Sequence, residues 1–128
     1  MLEMPEVSLI PGAIVWADLE PVQGREQGGR RPMLVVSSDI HLQLVTRLVT
    51  VVPITSKNRH WPNHIAILPN AGLGQESWAM TEQVRTIARE RISSRAGTLS
   101  SRALAEVRMW LGDFLGSSLS SELPQRSK

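Results

Sequence analysis

Apolar positions along the chain fall into short runs broken by glycine, proline and polar clusters, and they adopt a helical period only near the C-terminus. The first run, Gly12–Leu19, sets Ile14, Trp16 and Asp18 on one face and Val15, Ala17 and Leu19 on the other, the two-residue period of a strand that ends before Pro21. Pro32–Ser38 is almost continuously apolar, which predicts a central strand. Arg47–Ile54, rich in valine and threonine, predicts a third with Pro53 at its end, and His64–Leu68 a fourth. Ser77–Met80 and Val84–Ala88 supply two short extended segments, whereas Asp39–Val45 fits a helical turn or a loop. The stretches Val22–Arg31, Lys57–Asn63 and Pro69–Gly74 carry turn chemistry. From Ser100 the period changes: Leu104, Val107, Leu111 and Phe114 recur at helical spacing, with Ser100 or Ser101 available as N-cap and Gly116 as the stop. Short strands joined by glycine- and proline-rich turns, followed by one helix, predict a mainly β (α+β) fold built as a small barrel.

A chain of 128 residues with 41% hydrophobic content is one domain with a sizeable core, assigned here to residues 11–116. Residues 1–10 read as a loose leader, and the serine-rich stretch 117–128 as a disordered polar tail. No apolar run approaches the roughly 18 residues that span a bilayer, and the N-terminus lacks a basic-then-apolar signal, so a cytoplasmic protein with no membrane partner is expected. The absence of cysteine excludes disulfides and thiolate metal sites. Net charge is only +2, but lysine occurs just at positions 57 and 128, so nearly all the cations are arginine, the residue suited to bidentate phosphate contacts. Six arginines between Arg85 and Arg108 face only Glu90 and Glu106. That balance suits a polyanion, and equally a solvated surface with some ion pairs.

Three arrangements have chemical content. The loop with Gly24, Gly28 and Gly29 has the freedom of a phosphate cradle, yet it lacks a Gly-Lys-Ser/Thr ending and leads into a strand rather than a helix. His60 and His64 are four apart, but Pro62 between them disrupts the helix that would align them, so no metal site is expected; His41 reads as a surface histidine. Arg31 stands directly before Pro32, which holds it extended, and its fork is better preorganised than those of Arg25 and Arg30. Thr55 follows Pro53 at the end of a valine-rich strand, where its hydroxyl can point into a cleft between strand ends. Lys57, Arg59 and Trp61 combine charge with a stackable ring, suited to unpaired bases, although the tryptophan can equally pack on the barrel.

The order and spacing of Pro11-Gly12, Val15-Trp16-Ala17-Asp18-Leu19-Glu20-Pro21, Gly24 with Glu26-Gln27, Gly29-Arg30-Arg31-Pro32, Val35-Val36-Ser37, Val52-Pro53-Ile54-Thr55-Ser56 and Gln83-Val84-Arg85-Thr86-Ile87 resemble the MazF/PemK-type toxin endoribonucleases of bacterial toxin–antitoxin pairs. The resemblance runs from about Pro11 to Leu115. It implies an SH3-like antiparallel barrel of the MazF/CcdB kind with a C-terminal helix, and a homodimer that cleaves single-stranded mRNA at short sequences without metal or other cofactor. Products would be 2′,3′-cyclic phosphate and 5′-hydroxyl ends, translation and growth would stop, and a cognate antitoxin would be the partner, with DNA reached only through it. Carried over by motif, Arg31 and Thr55 are catalytic and Glu26 is a candidate base. Arg25, Gln27, Arg30, Ser56, Lys57, Arg59, Trp61, Gln83 and Arg85 are candidate substrate contacts. Two alternatives are a CcdB-like topoisomerase poison and a barrel that binds RNA without cleaving it.

Overall fold

The computed structural model describes residues 7–19 and 29–116. The first six residues of the expected leader, most of the glycine-rich loop with Arg25, Glu26 and Gln27, and the polar tail lie outside the described residues.

The strands are β1 (Ala13–Asp18), β2 (Arg30–Val35), β3 (Leu48–Thr55), β4 (His64–Ile67), β5 (Ser77–Met80), β6 (Arg85–Ala88) and β7 (Ile92–Thr98), and the helices are α1 (Asp39–Leu44) and α2 (Ser101–Leu115). All described pairings are antiparallel, in the order β4-β5-β3-β2-β1-β7 with β6 on β3. The end strands β4 and β7 are not hydrogen-bonded to each other, so the sheet is barrel-like but open.

Alternation along β1, β2 and β3 feeds two cores. Ile14, Leu34, Val52 and Ile54 join Ile65, Ile67 and the helical Leu104, Val107 and Leu111 on one side. Ala13, Val15, Ala17, Met33, Val35, Val49 and Val51 join Leu42, Ile87 and Ile92 on the other, with Val7 and Leu9 packed against them. Strands apolar on both faces are thus buried on both faces, as their near-continuous hydrophobicity requires. The fully buried Val107 anchors α2, and such a side chain contributes on the order of 1.5–3 kcal/mol. Ser100, not Ser101, is the N-cap: its Oγ accepts the Ala103 N–H at 3.1 Å. Gly116 ends the helix with φ +83°, a left-handed conformation that glycine adopts without penalty. Phe114, expected on the apolar face, is instead 48% exposed beside Trp110.

Other elements depart from the sequence reading. The second strand begins at Arg30 and ends at Val35 rather than spanning Pro32–Ser38. Beyond Val35 the chain leaves the ladder: Val36 N–H still donates to Thr50 O, but Ser37 Oγ takes the Thr50 N–H and Ser38 turns to cap α1. The ambiguous segment therefore becomes a helix, and the partly buried His41 bonds through Nδ1 to Ser37 Oγ at 2.7 Å. The third strand is Leu48–Thr55, one residue later at each end than expected. Strand β7 had no counterpart in the reading, because Ile-Ser-Ser-Arg-Ala-Gly-Thr lacks apolar alternation. It forms as an edge strand on β1, with irregularities at Ile14/Val15 and Trp16/Ala17.

Candidate functional site

Two prolines shape the cleft that holds the expected catalytic pair. The β2–β3 ladder runs from Val35 opposite Val51 to Met33 opposite Pro53 and stops there. The next residue, Pro32, has no N–H with which to extend it. Continuing the same register by two residues sets Arg31 across from Thr55, on strand ends that have parted. Between them lies a cleft of about 260 Å³, lined by Arg31, Pro32, Ile54, Thr55 and Ser56 and closed by Trp16, Leu73, Gln75 and Ser77. Arg31 keeps its place in the other ladder, opposite Ala17 of β1, so its backbone is fixed while its side chain is exposed. Thr55 Oγ1 accepts the Lys57 N–H at 3.1 Å, which leaves the hydroxyl hydrogen available to donate.

Trp16 carries the Arg30 guanidinium over its ring at 5.4 Å from the centroid, a cation–π contact at the cleft's rim. Arg30, Arg31, Thr55 and Ser56 are thus brought to one place. A second group gathers around Met80, whose sulfur accepts from Arg59 Nη1 at 3.7 Å and from Gln83 Nε2 at 3.6 Å. Because β5 pairs with β3 through Trp78 opposite Thr55, this group reaches the cleft along a single strand. Arg85 pairs with Val51, about 13 Å along β3 from Thr55 at strand rise, and belongs to neither group.

The loop after β3 is a structured turn. Asn58 Oδ1 accepts the His60 N–H at 2.8 Å, and His60 takes φ +61°. Trp61 is 48% exposed rather than packed into the barrel, with its ring 4.7 Å from that of His64. His64 is buried and sets Nε2 at 3.0 and 3.1 Å from the two Glu82 carboxylate oxygens; Asn63 Nδ2 donates to the same Oε1 at 2.8 Å. Thr81 Oγ1 donates to Asn63 O at 2.8 Å and completes the clamp. Burial alone would raise the Glu82 carboxyl, but its backbone hydrogen bond and the His64 and Gln83 contacts outweigh that and hold it below the ordinary glutamate value. The buried Nδ1 of His64 has no hydrogen-bond partner, which fits the tautomer that carries its proton on Nε2.

The sequence reading missed Trp16, Leu73, Gln75 and Ser77 as cleft walls and Glu82 as the centre of the clamp. Only Trp16 left a signal, an aromatic on the alternating strand that pairs with Arg31. A larger hollow of about 730 Å³ lies at the other end of β3, against Val7, Leu9, Leu48 and Arg89, and none of the expected site residues lines it. No helix among the described residues is long and apolar enough to cross a membrane.

Comparison with known proteins places the chain in a family. Residues 10–115 match the family described as PemK-like, MazF-like toxin of type II toxin-antitoxin system. Endoribonuclease MazF9 of Mycobacterium tuberculosis is 36% identical over 102 residues, covering 75% of this chain and 86% of its own length. Endoribonuclease EndoA of Bacillus subtilis is 33% identical over 98 residues, covering 75% and 84%. Among solved structures, a MazE-MazF crystal structure from Deinococcus radiodurans superposes with a TM-score of 0.73 at 30% identity, covering 86% of this chain and 98% of that one. With a family match across nearly the whole described region, relatives above 30% identity and solved structures of the same fold, this chain belongs to the PemK-like and MazF-like toxins of type II toxin–antitoxin systems.

Proposed function

We propose that the chain is the toxin of such a pair and acts as an endoribonuclease, with the cleft between the parted ends of β2 and β3 as its catalytic centre. The observation that supports this is the placement of Arg31 across from Thr55 in one cleft, on backbone held by ladders on either side. A 2′-hydroxyl attacks the neighbouring phosphorus; the O2′–P bond forms, the P–O5′ bond breaks, the departing O5′ takes a proton from water, and the products are a 2′,3′-cyclic phosphate and a 5′-hydroxyl. Arg31 meets the charge that builds on the phosphoryl oxygens, and Thr55 donates a hydrogen bond to the same oxygens. A guanidinium stays protonated near neutrality, so the 2′ proton passes to another group, for which we assign Glu26, five residues before Arg31 in sequence. No metal is required by this scheme. Arg59, Trp61 and Gln83 extend the surface on which single-stranded RNA lies, through charge and stacking.

The protein partner is a cognate antitoxin, as in the MazE-MazF complexes whose structures this fold resembles. The toxin works as a homodimer in the cytoplasm. Incubating the purified protein with a long transcript in excess EDTA, then mapping ends by primer extension, tests the activity directly. Discrete cuts carrying 5′-hydroxyl ends, lost in Arg31→Ala, are expected. A folded protein that cuts no RNA, or toxicity that survives Arg31→Ala, would refute the proposal and point to a non-catalytic poison.

A further inference from the structure

The cleft is larger than a phosphate requires, and its lining is of two chemical kinds. Arg31, Thr55 and Ser56 supply phosphate chemistry, whereas Trp16, Leu73 and Gln75 bring an indole, an aliphatic side chain and an amide to the same lining. A flat apolar surface beside one group that both donates and accepts is the chemistry of a nucleobase site, where the face stacks and the edge is read.

The side that carries Leu73 and Gln75 is seated on backbone. The turn carrying Leu73 and Gln75 lies directly on the backbone of β7, through two glycines that face each other: a Cβ on Gly97 would stand 1.8 Å from Ala71 O, and one on Gly72 would stand 2.3 Å from Ala96 O. The other wall, Trp16, sits on β1 opposite Ser94 of the same β7. Both sides of the gap are therefore referenced to a single strand. The buried Ser77 hydroxyl donates to Gln75 O at 3.2 Å and fixes the base of the reading residue. The Arg30 guanidinium lies over one face of the Trp16 ring, 5.4 Å from its centroid, and leaves the other face for a base.

We propose that Trp16 and Gln75 form the pocket for one unpaired nucleobase adjoining the scissile phosphate, with Trp16 stacking its face and Gln75 selecting its identity. The inference rests on the reading of this cleft as the catalytic centre, and two measurements keep the two apart. In the first, cleavage sites of the wild type and of Gln75→Ala are mapped on one long transcript. The wild type should favour one base at a fixed position beside the cut. Gln75→Ala should reduce that preference by roughly 5- to 100-fold at that position alone, with the rest of the recognised sequence retained. An unchanged cleavage pattern, or a uniform fall in rate at all sites, overturns the proposal and leaves the endoribonuclease reading standing.

In the second, 2′-deoxydinucleotides, which lack the attacking hydroxyl, are titrated while tryptophan fluorescence is followed. Quenching that depends on the base, disappears in Trp16→Phe and loses base dependence in Gln75→Ala is expected. Should the wild type cut no RNA and yet show this behaviour, the catalytic reading falls and the base pocket stands. Quenching that is indifferent to the base, or intact in Trp16→Phe, overturns the pocket whatever the RNA assay shows.

Discussion

Gly97→Ala is the substitution that separates what the fold needs from what the chemistry needs. The added Cβ would lie 1.8 Å from Ala71 O, 2.8 Å from Ala71 C and 3.1 Å from Gly72 Cα, all backbone atoms that cannot rotate away. Restoring an ordinary contact requires the 71–72 turn to withdraw from β7 by roughly 2 Å, given that well-packed non-bonded atoms sit about 3.5–4 Å apart. Overpacking of this kind costs about 1–3 kcal/mol, and in a chain of 128 residues each kcal/mol lowers Tm by about 3–5 °C. Thermal unfolding followed by circular dichroism should therefore show a drop on the order of 3–15 °C. Gly74→Ala is the control: its φ of +77° imposes local strain, but a Cβ there meets nothing within 4 Å, so the turn keeps its seat on β7. The folded Gly97→Ala protein, assayed below its Tm, should still cut RNA but with the base preference beside the cut blurred. If Tm moves by less than about 1 °C, the turn is not seated on β7 and the cleft has no backbone-held side.

Thr55→Ala should lower the cleavage rate by about 100-fold in single-turnover assays, with Thr55→Ser recovering most of it because the hydroxyl donor returns; equal rates for the two variants would remove Thr55 from the mechanism. Ser100→Ala should cost about 1 kcal/mol in urea denaturation by leaving the Ala103 N–H without its cap, and no measurable loss would show that the cap at 3.1 Å adds nothing to α2. The Glu82 carboxyl is held below its unfolded value, so its contribution to stability is present above that unfolded value and is lost as pH falls through the lowered folded one. Glu82→Gln should accordingly be less stable than the wild type near neutrality, and the gap should close on acidification through the carboxylate range; a gap independent of pH would mean the charge on Glu82 does no work in the His64 clamp.

What was legible in the chain follows from how local each constraint is. Strands β1, β2 and β3 could be read because their apolar runs satisfy two cores at once, and α2 because its cap, stripe and stop glycine are neighbours in sequence. Arg31 and Thr55 could be singled out because Arg31 stands directly before a proline and Thr55 two residues after one, and a proline withholds the N–H that one edge of a strand would use. Strand β7 left no such mark: it exists because β1 offers an open edge, and a glycine within it makes room for a distant turn. The clamp of His64 on Glu82 joins residues far apart in sequence, and nothing in either neighbourhood points to the other. The residues that would perform cleavage are thus specified by short motifs, whereas the wall that would select a base depends on Gly72 and Gly97 meeting across the fold. Substitution at either glycine should then alter which RNA is cut before it alters how RNA is cut, and change at Arg31 or Thr55 should do the reverse.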